Sequence, residues 1–358
     1  MNTLEQVIFA GFTHEPAIQL SENLLELLPE NQQKVFYSDN GSTAVEVALK
    51  MCIQYCYNLG KEKTKILALK NAYHGDTFGA MSVSGRSVWT KPFGKMLFEV
   101  IFIDTPTSEN LENLKNQIKK HATDIACFIY EPLIQGAAGM LMYEAQDLDE
   151  LMKFCREQEI LMIQDEVFTG FGRTGKLFAA NHLSEKPDIM CFSKGLTGGT
   201  LPMGITTCSN EIYNAFLSED KYKTLFHGHS FTANPLSCTA ALASMELLLN
   251  EETQHNIQRI SEQHSQFSIL LKQHSKVENV RQTGTILAWE FKTYQGTSYF
   301  NEIGKILYDE FLSRGIIMRP LGNVMYLVPP YCITSEELEF TYKNILDKFK
   351  IKEELMKA

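Results

Sequence analysis

The chain has 358 residues, with a hydrophobic fraction of 44% and a charged fraction of 21%, the composition of a globular protein of enzyme size. Its formal net charge of −10 disfavours nucleic-acid binding, which needs a basic surface to replace counterions. No apolar run reaches the roughly 18 residues that a membrane span needs, and the first residues do not resemble a secretory signal. We therefore expect a cytoplasmic enzyme that acts on small molecules.

The eight cysteines are scattered along the chain, and most of them lie within apolar runs. In a chain of this size they are expected to be reduced, packed thiols. Cys52 and Cys56 are close in sequence, but no second pair with the spacing of metal ligands follows nearby. The cysteine pattern therefore disfavours a metal site.

Short apolar runs alternate with amphipathic stretches through much of the chain. Runs that are apolar on both faces predict buried parallel strands, and they cover residues 65–71, 98–104, 124–132, 160–167 and 188–194. Helical patterns at 111–122 and 145–158 lie between such runs, as in βαβ units. The predicted fold class is α/β, with a mostly parallel central sheet and helices on both faces.

A second domain is predicted in the last third of the chain. Asn234 and Pro235 begin a helical pattern that leads into a polar, amphipathic segment at 251–275. Strand-like and helix-like runs then alternate. We expect a large domain at 1–250, followed by a linker helix and a small α+β domain at 251–358.

A carboxylate and a lysine each end one of the predicted strands. Asp165 follows the run ILMIQ, and Lys194 follows the run DIMCFS. Ligands bind outside the carboxyl ends of strands in open α/β sheets, so both side chains are expected to face one crevice. Pyridoxal phosphate (PLP) chemistry needs an amine that forms an imine with the aldehyde, and an anion that keeps the pyridine nitrogen protonated. Each residue alone is more often a cap or a surface charge, but the pair with its glycine-rich flanks favours a PLP site.

Two segments are candidates for binding a phosphate. Gly41 and Ser42 open a helical pattern, whose first amides and dipole attract a dianion, although an ordinary helix cap is the alternative. Ser230 and Thr232 precede the helix that starts at Pro235, and they offer a second set of hydroxyl groups. The alternative interpretation of that segment is a capping loop.

Two further segments carry candidate side chains. Tyr73 follows a predicted strand beside His74, and its ring is suited to stack on a pyridine face, with a core tyrosine as the equally weighted alternative. Arg319 lies among apolar neighbours, and its planar fork suits carboxylate recognition. A structural ion pair is the competing explanation for Arg319.

Six separated motifs resemble those of the class III (ornithine-aminotransferase-like) PLP-dependent aminotransferases of fold type I. They are YHGDTFGAMSVSG, EPLIQGAAGM, DEVFTGFGRTGKLFA, LTGGTLP, HGHSFTANPL and RPLGNVMYLVPPY. Within the family they are most similar to the branch that aminates 8-amino-7-oxononanoate in biotin biosynthesis, with S-adenosylmethionine as the usual amino donor. The alternatives are another class III activity, with lysine as donor or of the ornithine, acetylornithine or 4-aminobutyrate type, and an impaired or inactive homologue.

The resemblance implies a role for each matching residue. Lys194 is the lysine that bonds to PLP, and Asp165 is the partner of the pyridine nitrogen. The remaining implied cofactor residues are Gly41, Ser42, Tyr73, His74 and Ser230, the last donating to the phosphate across a homodimer interface at a position where the family usually has threonine. The implied substrate residues are Tyr73, Gly228 and Arg319, with Arg319 holding a carboxylate. Glu131 and Arg173 match charged positions near the family's site.

The resemblance begins at the segment IFAGFTHEPAIQL. Family members usually carry an N-terminal segment ahead of this one, which supplies aromatic residues to the substrate pocket. We expect that segment to be missing here. Substrate selection and activity would then be affected more than cofactor binding.

Overall fold

A computed structural model describes residues 4–294 and 296–349, and the chain divides into two compact units. The first unit contains the described residues up to 138, together with 143–171 and 178–247. The second unit contains 139–142, 172–177 and the described residues from 248 onwards.

The short segments at 139–142 and 172–177 were not predicted to belong with the C-terminal part of the chain. They belong to the second unit because they form hydrogen bonds with its C-terminal residues. Arg281 Nε donates to Met140 O at 2.8 Å, and Thr285 N donates to Arg173 O at 3.0 Å. A single boundary along the sequence therefore does not describe the division.

The described strands are short. In chain order they are β1 Lys34–Ser38, β2 Lys65–Leu69, β3 Ile101–Ile103, β4 Ile125–Tyr130, β5 Ile134–Gln135, β6 Leu141–Met142, β7 Leu161–Asp165, β8 Ile189–Phe192, β9 Gly204–Cys208, β10 Val277–Thr283, β11 Ile286–Phe291 and β12 Val324–Leu327. Each of the five apolar runs that predicted a strand contains one of these.

The first unit is built on a sheet with the strand order β1–β9–β8–β7–β4–β2–β3. The neighbours from β8 to β3 pair in parallel, whereas β9 runs antiparallel to both β8 and β1. The predicted α/β fold with a mostly parallel sheet is therefore confirmed. β1 and β9 were not predicted, because their sequences KVFYS and GITTC have no continuous apolar run.

The second unit contains an antiparallel sheet with the order β10–β11–β12. All six residues of β11 are buried, and the largest of them, Trp289, packs with residues such as Phe311 and Met325. β10 has the polar sequence VENVRQT and carries no strand signal of its own. It forms because β11 offers it a hydrogen-bonding edge.

The described helices are α1 Glu15–Leu27, α2 Gly41–Asn58, α3 Phe78–Val83, α4 Leu111–Lys119, α5 Ala145–Glu157, α6 Asn210–Asn214, α7 Pro235–Leu249, α8 Glu251–Lys272, α9 Ile303–Ser313 and α10 Ser335–Phe349. Short 3-10 turns cover Lys91–Phe93, Ala179–His182, Lys194–Thr197 and Lys221–Lys223. Within the ranges that the structure describes, none of the helices is long and apolar enough to cross a membrane.

The core of the first unit lies between its sheet and the helix α2. Val45, Ala48 and Cys52 of α2 are fully buried in one cluster with Ile129 of β4 and Ile163 of β7. Seven of the eight cysteines are buried, and Cys332 is exposed. The thiols of the first unit therefore serve as small apolar side chains.

Three aromatic rings pack at the carboxyl end of β8. Phe171, Phe178 and Phe192 meet edge to face, with ring centroids 5.4 to 5.9 Å apart. All three side chains are buried, and an added Cβ on Gly195 would lie 3.1 Å from Phe171. This aromatic cluster fixes the chain on either side of Lys194.

Replacing Phe192 with alanine should lower the free energy of unfolding by about 3–5 kcal/mol, because it leaves a cavity within the aromatic cluster. Chemical denaturation measures this. Tyr57 is 76% exposed on α2, and Tyr57→Ala is the control, with an expected change within about 0.5 kcal/mol. Equal stability of the two variants would show that the cluster does not support the end of β8.

Candidate active site

The carboxylate of Asp165 lies at the carboxyl end of β7 and is 4% exposed. Its Oδ1 accepts from Val167 N at 3.0 Å, and its Oδ2 is 2.7 Å from Nδ1 of His74. His74 is also buried, and its Nε2 has no hydrogen-bond partner. Each carboxylate oxygen has two lone pairs, so Asp165 can still accept a hydrogen bond from a ligand.

Lys194 follows β8, which pairs in parallel with β7 through Asp165 and Cys191. The two candidate residues therefore lie at the carboxyl ends of adjacent strands. Lys194 is exposed, and its Nζ lies 5.6 Å from the centre of the Phe168 ring. Its φ of 47° is in the left-handed region, which costs a residue other than glycine about 1–3 kcal/mol. Such strain is concentrated at functional sites, where the surrounding structure maintains it.

Tyr73 lies in the loop after β2 and is 42% exposed. Its hydroxyl donates to Oδ2 of Asp76 at 2.8 Å, and its amide donates to Oε2 of Glu131 at 3.0 Å. Burial, together with the hydrogen bond to Asp76, raises the pKa of Tyr73 to about 12. The tyrosine is therefore a neutral, half-exposed ring that is fixed at both its hydroxyl and its backbone.

Gly41 and Ser42 begin α2, as the sequence predicted. Asn40 caps the helix by accepting from Thr43 N at 3.0 Å, which leaves the amides of Gly41 and Ser42 without a partner inside the helix. Ser42 Oγ accepts from Asp76 N at 2.8 Å. A Cβ on Gly75, whose φ is 130°, would lie 1.8 Å from that oxygen. Only glycine allows this approach of the loop after β2 to the helix end.

Sequence reasoning assigned no role to Glu166, the residue next to Asp165. Its buried carboxylate accepts hydrogen bonds from Gln164 Nε2, Thr169 Oγ1, Ala179 N and Ala180 N at 2.7 to 3.1 Å. Burial still raises its pKa above the ordinary value. Glu166 joins the two chain segments that flank residues 172–177. The only sequence signal was its place directly after Asp165.

Gly228 and Ser230 lie on an exposed loop before α7. Ser230 O accepts from Gln6 Nε2 at 2.7 Å, and the loop is also held by Lys50 Nζ, 3.0 Å from Nδ1 of His227. Phe231 in the same loop is 65% exposed. The structure therefore presents this segment on the surface of the first unit.

Arg173 and Arg319 belong to the second unit. Arg319 is exposed, and its Nη2 donates to the hydroxyl oxygen of Tyr299 at 3.1 Å. That hydrogen bond raises the pKa of Arg319 above its ordinary value. Arg173 Nη1 donates to Pro329 O at 2.7 Å, and its guanidinium stacks 4.7 Å from the ring centre of Tyr331. Arg319 has the exposure of a ligand-binding residue, whereas Arg173 holds two segments of its own unit together.

The first unit thus offers the groups that PLP requires. A buried acceptor at Asp165 suits a protonated pyridine nitrogen, an exposed amine at Lys194 suits an aldehyde, and the first amides of α2 suit a phosphate. The loop after β2, which carries Tyr73 and His74, contacts Asp165 through His74 and Ser42 of α2 through Asp76. In the part of the chain described, no cluster of histidine, cysteine and acidic residues could hold a metal ion.

The model of the class-III aminotransferases matches residues 1–349, and the chain belongs to this family, which uses PLP. It is 48% identical to adenosylmethionine-8-amino-7-oxononanoate aminotransferase of Synechococcus elongatus, over 96% of this chain and 83% of the relative.

Solved structures extend this similarity to the fold. The enzyme of the same name from Methanocaldococcus jannaschii superposes with a TM-score of 0.93 and 39% identity, covering 98% of this chain and 82% of the other. A PLP-bound amine transaminase from an uncultivated Pseudomonas species superposes with a TM-score of 0.91 and 29% identity, covering 98% and 84%.

Borohydride reduction of the PLP-loaded chain should fix the cofactor on Lys194, because this lysine follows β8, which pairs with the strand that ends at Asp165. Mass spectrometry of the digested protein locates the label. Lys194→Ala should abolish the label, and Lys70→Ala should retain it. Lys70 is a suitable control because it also follows a strand but pairs with Asp104 at 3.0 Å. A label on any other lysine would show that the assignment is wrong.

Proposed function

We propose that this chain transfers an amino group from S-adenosylmethionine to 8-amino-7-oxononanoate, giving 7,8-diaminononanoate, as a cytoplasmic enzyme of biotin biosynthesis. The observation that supports this most is the near full-length similarity to enzymes of that name, in a chain whose adjacent strand ends bear Lys194 and Asp165. The buried thiols are consistent with a reducing compartment.

The first unit supplies the residues that would hold PLP. Asp165, oriented by His74, would accept from the pyridine nitrogen, and the ring of Tyr73 would stack on the pyridine. Ser42 and the first amides of α2 would bind the phosphate. When bound, PLP provides the aldehyde that accepts the amino group and a ring that stabilises negative charge.

Lys194 provides the amine that moves protons. Once released from the cofactor, Nζ would take a proton from the carbon that carries the donor nitrogen and return a proton to the carbon on the other side of that nitrogen. The left-handed backbone and the aromatic cluster fix the residue where the chain leaves β8. Transfer from donor to acceptor then takes place in two half-reactions on one site.

Arg319 recognises the carboxylate of the oxononanoate substrate, with Gly228 and Tyr73 as further substrate contacts. An exposed guanidinium has N–H donors free for a bidentate contact with a carboxylate. The hydroxyl oxygen of Tyr299 accepts from Nη2 of Arg319 and fixes that end of the guanidinium. Because Arg319 retains its charge at every physiological pH, the subsite selects substrates by their carboxylate.

We further propose that the protein works as a homodimer, in which Ser230 serves the phosphate site of the partner. The first unit exposes a group of large apolar side chains between residues 78 and 98, namely Phe78, Val88, Trp89, Phe93, Met96 and Phe98. Phe231, next to Ser230, is exposed as well. Apolar surface of this kind favours burial against a second copy.

The proposed reaction is tested by incubating the PLP-loaded chain with 8-amino-7-oxononanoate and either S-adenosylmethionine or lysine. We expect 7,8-diaminononanoate, detected by mass spectrometry, with S-adenosylmethionine as the better donor and no product from Lys194→Ala. Ornithine, acetylornithine and 4-aminobutyrate with 2-oxoglutarate form the comparison panel. Turnover of one of these pairs, without diaminononanoate from either donor, would assign a different class III activity.

Arg319→Lys should raise KM for the oxononanoate while leaving PLP affinity unchanged, because an ammonium cannot reproduce a bidentate fork. Losing these contacts costs about 1.5–3 kcal/mol, or about one to two decades in kcat/KM. Steady-state kinetics measures this. Arg314→Lys is the matched control, since Arg314 lies in the same unit but pairs with Glu310 at 2.6 Å. Unchanged kinetics with lower thermal stability would support a structural role for Arg319.

A further inference from the structure

Glu131 lies directly after β4, and its side chain is buried. Its Oε2 accepts from Tyr73 N at 3.0 Å, and its Oε1 accepts from Gly136 N at 3.1 Å. Its own backbone is held by the hydroxyl of Tyr143, which donates to Glu131 O. Both carboxylate oxygens therefore act as acceptors for main-chain amides of two different loops.

The loop after β2, whose Tyr73 amide donates to Oε2 of Glu131, carries three consecutive residues at the candidate site. Tyr73 presents the half-exposed ring, His74 contacts Asp165 at 2.7 Å, and Gly75 lies against Ser42 at the start of α2. The His74 amide has its own partner, donating to Ser84 Oγ at 2.9 Å. We call residues 73–75 the site turn. A displacement at Tyr73 would move the ring, the partner of Asp165 and the neighbour of Ser42 together.

We propose that Glu131 is a positioning residue that must be ionised to hold the site turn, so that its ionisation couples PLP binding to pH. The inference rests on the proposed function only in taking the site turn as part of the cofactor site. The chemical reason is that a carboxylate has acceptors alone, whereas a protonated carboxyl has an O–H donor. In the protonated form one oxygen is a poorer acceptor, and the bond to Tyr73 N or to Gly136 N weakens.

The surroundings of Glu131 place its titration near neutrality. Burial raises the pKa of Glu131 to about 7, with His74 lowering it and Asp165 raising it. The ionisable groups that face the carboxylate are His74 from the loop after β2, Asp165 from the end of β7, and Tyr143. As pH rises through about 7 the ionised form becomes dominant, and the site turn gains both of its hydrogen bonds.

A matched control exists at the start of β8. Asp188 is half-buried, accepts from Met162 N at 2.8 Å, lies 3.6 Å from Nη1 of Arg156 and has its pKa raised by burial. Met162 lies at the amino-terminal half of β7, so Asp188 is at the opposite edge of the sheet from Asp165. Asp188→Asn therefore removes a carboxylate that also accepts from a main-chain amide, without touching the site turn.

The first measurement is hydrogen exchange of the cofactor-free full-length chain at pH 6 and pH 8, followed on peptides that contain residues 72–77 and divided by the intrinsic rates. Wild type and Asp188→Asn should be protected about fivefold more at pH 8 than at pH 6, as expected for one weakened hydrogen bond. Glu131→Gln should match the lower protection of wild type at pH 6 at both pH values, because glutamine has one acceptor oxygen for the two amides of Tyr73 and Gly136.

The second measurement is the dissociation constant for PLP at the same two pH values, taken as the ratio of each variant to wild type so that the titration of PLP itself cancels. Glu131→Gln should bind about tenfold more weakly than wild type at pH 8, and the two should converge at pH 6. Asp188→Asn should match wild type at both.

The proposal is overturned if Glu131→Gln shows wild-type protection and affinity at pH 8, or if the exchange protection of wild type does not depend on pH. The wild-type comparison needs no substitution, so it decides the question even if Glu131→Gln folds poorly. Failure of wild type to bind PLP would contradict the proposed function instead. The exchange measurement would then still establish whether Glu131 holds the site turn.

Discussion

A buried carboxylate at the end of a central strand is the constraint on which the site depends. Asp165 is nearly inaccessible to water, and a charge in such a place is costly unless it is paired and hydrogen-bonded. The amide of Val167 and the ring of His74 provide this pairing. They also fix the direction in which the remaining lone pairs of the carboxylate point, which is what a cofactor with a protonated ring nitrogen needs.

The same edge of the sheet maintains a strained lysine. The unfavourable backbone of Lys194 lies between the buried strand β8 and a 3-10 turn, and the aromatic cluster packs against Gly195. Packing of this kind overcomes a local preference of a few kcal/mol, since burying one large aromatic side chain contributes a comparable amount. The lysine is thereby fixed in direction while its amine stays exposed.

Charge distribution around the site follows from burial. Glu131, Asp165 and Glu166 are three buried carboxylates. Each has a different set of hydrogen-bond donors. Glu166 is satisfied by four donors and joins chain segments, Asp165 is paired with a histidine, and Glu131 is bound by two main-chain amides. Burial raises the pKa of Glu131 to about 7 although His74 and the two amides lower it, which makes this carboxylate the natural place for proton uptake in this part of the protein.

Much of the architecture could be predicted from local patterns. The five apolar runs, the helices at 111–122 and 145–158, and the lysine and aspartate at strand ends were all visible, because apolar periodicity and strand-end chemistry are properties of short segments. β1 and β9 were not predicted, because their strand structure depends on residues that are distant in the sequence. Their short, mixed sequences become strands only because β9 pairs with β8 and β1 pairs with β9.

The sequence by itself determined most of the helices, the five apolar strands and the chemical groups that stand at their ends, since these depend on residues close together in the chain. Only the tertiary structure decided that His74 pairs with Asp165 across 91 positions and that Glu131 holds Tyr73 across 58. The order and register of the strands bring these residues together. Both result from the packing of the whole sheet rather than from any local pattern. The segments at 139–142 and 172–177 join the second unit for the same reason, because their hydrogen-bond partners lie more than a hundred residues away.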